Sequence, residues 1–313
     1  METMPPHKPP SHRSSVAIGF VSGITSGLQR SGVNPEEMLN RAGIATQLIK
    51  PADARIPVAR YAALYRLISE QLDDEAFALF SRPLRRGTFE FLCRSVLSAA
   101  SLEEALERIA RFLRTVLDDF SVSLEKSDNA AILTISQQQP LPVGASGRVF
   151  AFEWLLRMIH GLAAWLVARP LVLDEVDFPY PPPSHAADYE LVFAPHYGFN
   201  AARLEARFSL DSLALPIRRD EAALRLFLVD APASITTLYR RDRALATRVR
   251  AALRAALPAH RLLPDIARSL FLSPRTLHRR LKEEGTSYQA IKDAMRRELA
   301  IEGLSKTALT LSR

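Results

Sequence analysis

The chain has 313 residues, 48% of them hydrophobic and 24% charged, a length that suits two domains better than one core and a composition that excludes a wholly disordered chain. Its one cysteine, Cys93, excludes an internal disulfide, and with seven histidines no CxxC or His-rich spacing offers a metal cage, so a reducing cytoplasm fits and no cofactor is expected. The net charge of +7 is unevenly placed: residues 240–313 hold 17 Lys and Arg against 7 Asp and Glu, which leaves 24 against 27 in residues 1–239. A basic end segment is the footprint of phosphate neutralisation, and its bland alternative is a solubilising surface.

In chain order, METMPPHKPPSHRSS (residues 1–15) is proline-rich and lacks the apolar core of a secretory signal, so a loose tail is expected. A first domain should then occupy residues 16–230. Asn34 followed by Pro35 predicts a short helix running to Gly43. Tyr61, Leu64, Tyr65 and Ile68 recur at helical spacing, as do Ala105, Ile109, Phe112 and Val116 after a capping box of Ser101 and Glu104. Phe120, Val122 and Leu124, then Ile132 and Ile135, flank the turn-prone SDN and predict a hairpin.

The run from Phe150 to Pro170 is almost long enough to span a bilayer, but Glu153, Arg157 and His160 interrupt it, so a buried helix is expected and no membrane partner. LVLDEVDFPYPPP and LEARFSLDSLALPI read as strands around the short helix ADYELVFA, which makes the domain α+β and ends it near Leu228. The break at VDAPAS, around Pro232, marks the boundary, and residues 235–313 read as all helical.

No catalytic residues are expected. VGASGR misses the GxSxG elbow, there is no HExxH or GxxxxGK[ST], and the acidic pairs Asp73–Asp74, Glu103–Glu104 and Asp118–Asp119 read as solvated helix surface. For a small-molecule pocket the aromatic and charged candidates are Trp154, Arg157, Trp165, Tyr180, Tyr189 and Tyr197. Each is better explained by core packing, so the ligand-binding residues stay unknown.

The chemistry concentrates in LLPDIARSLFLSPRTLHRRLKEEG. Ile266, Ala267 and Leu270 give a first helix an apolar stripe, with Asp265 at its dipole-favoured start, and Phe271 and Leu272 make the turn. Ser273 as N-cap and Pro274 as first helical residue fix the start of a second helix, which Gly285 stops. There Leu277 and Leu281 share one face, Arg275, Arg279 and Lys282 lie opposite, and Thr276 and His278 flank them. A helix docked through two leucines with a guanidinium face outward fits the DNA major groove, where arginine pairs bidentately with guanine.

IARSLFLSPRTLHRRLKEEGTSYQAIKDAMRRELA resembles the first helix-turn-helix and linker helix of the AraC/XylS family of transcription regulators. SLEEALERIARFLRTVLDDF, DFPYPPPSHAADYELVF and FNAARLEARFSLDSLALPI are similar to that family's arabinose-binding-like sensor domain. The resemblance implies base reading by Arg275, His278 and Arg279, flank or phosphate contacts by Ser273, Thr276 and Lys282, and a homodimer that answers a small-molecule effector, binds double-stranded DNA and meets RNA polymerase.

One departure shapes a further expectation. The linker helix would span Ser287 to Leu304 with Ile291, Met295 and Leu299 as its stripe, and the second helix-turn-helix of the family pattern finds no residues after ALTLSR. The expected helix-turn-helix domain is therefore incomplete, with part of the linker stripe uncovered. The alternative function is a sensor and dimerisation module without productive DNA binding.

Overall fold

The computed structural model describes residues 15–49, 51, 53–230, 244–255, 262–270, 272–283, 286–293 and 295–296. The expected tail up to residue 14, the boundary around Pro232, and Phe271, Gly285 and Leu299 lie outside them. The chain divides into two compact units, Met1–Arg240 and Arg241–Arg313, each with its own apolar core.

In the first unit Ser15–Ala17 (β1) pairs antiparallel with Arg55–Pro57 (β2). Ser15, counted with the loose tail from sequence, is fully buried. Arg55 explains why: its Nε donates to Ser15 Oγ at 2.8 Å, and its Nη1 and Nη2 grip both carboxylate oxygens of Asp188 at 2.8 and 2.9 Å. Between the strands lie Ile18–Thr25 (α1) and Pro35–Arg41 (α2), where Asn34 accepts from the Glu36 N–H as N-cap.

Val58–Leu72 (α3) buries Tyr61, Leu64, Tyr65 and Ile68, as their spacing predicts. Thr88–Val96 (α4) buries Phe89, Leu92, Cys93 and Val96. In Leu102–Val116 (α5) Ser101 caps the Glu104 N–H, but the Glu104 carboxylate reaches the Ala100 N–H, one residue before the expected partner. The buried stripe of α5 is Leu102, Ala105, Leu106, Ile109 and Leu113, so Phe112 and Val116 sit at its margin.

Phe120–Lys126 (β3) and Ala130–Gln137 (β4) form the expected hairpin. Side chains alternate along β4, so Ala131, Leu133 and Ile135 enter the core and Ile132 takes the other face. Ala145–Leu166 (α6) follows, then Glu175–Asp177 (β5), Tyr189–Val192 (α7), His196–Gly198 (β6), Leu204–Ser209 (β7) and Glu221–Asp230 (α8). The five-stranded sheet has the order β3-β4-β7-β5-β6, antiparallel except for β5 with β6. Sheet and helices share one core, so this unit is α+β.

Two acids expected on solvated surface are instead buried. Asp74 accepts backbone N–H bonds from Ala76, Ala78 and Leu84 at 2.8–2.9 Å, and Asp119 accepts from the Ser81 N–H and hydroxyl. The loop that Asp74 organises holds Phe77 and Ala78 at positive φ, a strain of about 1–3 kcal/mol each that must be offset. Arg30 helps by donating to Ala78 O and Phe80 O at 2.7 Å, and a Cβ at Gly27 would stand 2.2 Å from Phe77 O.

Among the described residues of the second unit the regular elements are all helices: Ala244–Ala255 (α9), Leu263–Ser269 (α10), Pro274–Glu283 (α11), and helix again from Tyr288. Their core joins Leu245, Val249 and Leu253 of α9 to Ile266 and Ala267 of α10 and Leu277 and Leu281 of α11. Ile291 and Met295 are buried in this same cluster, so the part of the linker stripe that is described is covered rather than left bare.

Candidate nucleic-acid interface and sensor core

The two candidate sites are built on opposite physical plans. In α11 the start is set by Ser273, whose hydroxyl accepts the Thr276 N–H at 3.1 Å and meets the Thr276 hydroxyl at 2.8 Å. Pro274 then opens the helix, where its missing N–H costs no hydrogen bond. The preceding turn is tied by the Leu272 N–H to Ala267 O at 2.8 Å. At the far end the Thr286 N–H returns to Leu281 O at 2.9 Å, a span of five residues that closes a helix's last orphan carbonyls.

Leu277 and Leu281 are fully buried, four residues apart on one face. Arg275, His278, Arg279 and Lys282 are exposed, and Thr276 is half-buried. The spacing therefore brings all six sequence-nominated residues, Ser273 included, onto the outward side or start of one short helix. At ten residues α11 rises about 15 Å, under three turns. Helix α10 beneath it holds the Leu262 N–H by Asp265 at 3.3 Å.

In the first unit a set of polar side chains is paired in the interior. Helix α6 meets the length and apolarity of a membrane span, yet 83% of its most apolar window is buried within the protein. Glu153, at 1% exposure, accepts from His185 Nε2 at 2.6 Å and from the Tyr189 hydroxyl at 2.5 Å, and Tyr189 meets the Tyr180 hydroxyl at 3.0 Å. Burial alone would lower the His185 pKa, but the charge and hydrogen bond of Glu153 outweigh it and leave the pKa raised. Burial beside that carboxylate pushes the Tyr189 hydroxyl far up, so it stays a protonated donor.

The pocket candidates named from sequence are mostly packing residues here. Trp154 donates to the Tyr65 hydroxyl at 3.0 Å, Trp165 stacks on Phe227 with ring centroids 4.3 Å apart, and Tyr180 and Tyr189 are buried in an aromatic cluster with Phe178. Tyr197 is half-buried at its edge and Arg157 is half-buried on α6. His160 Nε2 bonds Leu171 O at 2.6 Å, and burial pushes its pKa down to about 4. An open cleft of about 710 Å³ lies elsewhere, at the start of α6, lined by Gln137, Leu141, Arg148, Phe152, Pro179 and Arg203. Its residues come from separate stretches of the chain, so no local pattern announced it.

Comparison with known proteins gives this geometry its setting. The model of the arabinose-binding domain of AraC transcription regulators, an N-terminal domain, matches residues 32–217. The chain is 27% identical over 298 residues to the ornithine utilization regulator of Pseudomonas aeruginosa, covering 95% of this chain and 87% of that protein. It also aligns with the crystal structure of the transcriptional regulator CdpR from Pseudomonas aeruginosa, at 20% identity over 88% of this chain and 86% of that one, with a TM-score of 0.34. With the family's N-terminal domain matched over more than half of its length, the chain belongs to the AraC transcription regulators.

Proposed function

We propose that this protein binds double-stranded DNA by laying α11 in the major groove and that its first unit governs this binding in response to a small molecule. Residues 235–313 then act as a helix-turn-helix domain and residues 16–230 as the sensing and dimerisation domain. Arg275, His278 and Arg279 face base edges, where arginine can pair bidentately with guanine, and Ser273, Thr276 and Lys282 contact the flanking backbone. The protein works as a homodimer in the cytoplasm, two copies of α11 meet two half-sites, and RNA polymerase is the partner at the promoter.

The single observation that carries this reading is the division of α11, with Leu277 and Leu281 wholly buried and the cationic side chains exposed. The local excess of 17 basic over 7 acidic residues in 240–313 supports it. Response to an effector requires that the ligand bind one arrangement of the protein more tightly than another, because equal affinity for both shifts nothing.

A reporter driven by the promoter of the protein's own gene tests the reading. Replacing Arg275 and Arg279 together by alanine should abolish regulation while leaving cellular protein level unchanged. Unaltered regulation in that double variant would overturn the assignment of α11.

A further inference from the structure

We propose that the cleft at the start of α6 is the effector site and that it takes a small organic carboxylate with an apolar body. The proposal rests on the sensing role assigned to the first unit and gives that role a place and a chemistry. At about 710 Å³ the cleft falls within the range of small-molecule sites.

Its anchor is Arg148, half-buried in the first turn of α6. Nε donates to Gln137 Oε1 at 2.7 Å, Nη1 donates to Pro179 O at 2.9 Å, and the guanidinium carbon stands 5.2 Å from the centre of the Phe152 ring. Three contacts from β4, from the loop after β5 and from α6 itself therefore fix the plane of the guanidinium before any ligand arrives. Among the described residues no carboxylate pairs with it, whereas the partly shielded Arg55 and Arg207 each hold acidic partners. A positioned, partly desolvated guanidinium without an anion is the half of a charge-assisted pair that a carboxylate completes.

Two neighbours decide the sign and number of charges. Helix α6 begins at Gly144 without a side-chain cap and without an acid in its first turn, so its positive end adds to the field of Arg148. Arg203 on the opposite rim is already paired with Glu205 at 2.9 Å and with Glu125 at 3.8 Å, so it adds little further attraction. One carboxylate is matched, and an ammonium is repelled. Leu141, Val143 and the edge of Phe152 give an apolar wall for the rest of the ligand.

Calorimetric titration and thermal melting of the full chain with benzoate and hexanoate, beside benzamide and benzylamine, test the site. The carboxylates should bind saturably and raise the melting temperature, and the amide and amine should not. Arg148→Gln should weaken carboxylate binding roughly tenfold or more. Because that variant also loses two structural hydrogen bonds, Ala202→Glu is the companion: it places a repelling charge on the exposed rim and should weaken carboxylates while the ligand-free melting temperature holds.

Equal binding of benzoate and benzamide, wild-type carboxylate affinity in either variant, or no carboxylate binding at all would overturn the proposal. The promoter reporter separates the two readings. If benzamide or benzylamine alters regulation equally in the wild type and both variants, sensing stands and the cleft is wrong. If carboxylates bind through Arg148 and leave regulation untouched, the cleft stands and its role as the effector site is wrong.

Discussion

Helices α6 and α11 spend their polar residues in opposite ways. Helix α6 is buried almost all round, and its Glu153 and His160 are tied to His185, Tyr189 and the Leu171 carbonyl. Helix α11 buries two leucines and leaves Arg275, His278, Arg279 and Lys282 in solvent. Buried polar groups must find partners or cost stability, and Glu153 Oε1 and His160 Nε2 find theirs within the fold. The cationic side chains of a capped, leucine-anchored helix are instead exposed to solvent, where a binding partner can reach them.

That contrast makes graded demands. The largest effect should come from Leu277→Ala, which empties a fully buried site and should cost the second unit about 2–5 kcal/mol in denaturant unfolding. A loss near zero would mean that α11 is not anchored as described, and the comparison would fail at its foundation.

Next comes pH. Burial holds the folded pKa of His160 at about 4, below the value of about 6.5 in an unfolded chain. Between those values the unfolded state binds the extra proton, so stability is full above pH 6.5 and is lost as pH falls towards 4. His160→Gln should flatten that slope, by about 2 kcal/mol across the window, in melts of the whole chain. The same acid slope in both proteins would show that this group is not buried neutral.

The smallest effect sharpens the start of α11. Ser273→Ala removes the cap of the Thr276 N–H and should cost about 1 kcal/mol, with DNA affinity following only as far as the helix frays.

Much of this was readable in advance where local chemistry decides structure. Ser273 with Pro274 marked the start of α11, Asn34 with Pro35 that of α2, and the spacing of Tyr61, Leu64, Tyr65 and Ile68 gave the buried face of α3. Phe89, Leu92, Cys93 and Val96 carry the same helical spacing in α4. The errors arise where distant residues decide. Asp74 and Asp119 look like surface acids until the backbone N–H groups of Ala78, Leu84 and Ser81 fold over them.

Short strands such as β6, three residues long and recruited only by pairing with β5, carry too little pattern to stand alone. The candidate site divides along the same line. The shared placement of Arg275, His278, Arg279 and Lys282 on α11 was legible because one helix presents them. The Arg148 cleft was not, because Gln137, Arg148 and Pro179 meet only in the folded unit.

The central claim is that the exposed face of α11 reads DNA. The most direct measurement is a salt titration of the wild type and Arg279→Ala, each binding the DNA upstream of its own gene and a scrambled duplex of equal length. The account predicts clear preference for the upstream sequence, a loss of about 1–3 kcal/mol of that preference in Arg279→Ala, and weak, salt-sensitive binding to the scrambled duplex. Equal affinity for both duplexes, unchanged by the substitution and vanishing with salt, would contradict it and leave α11 as a basic surface.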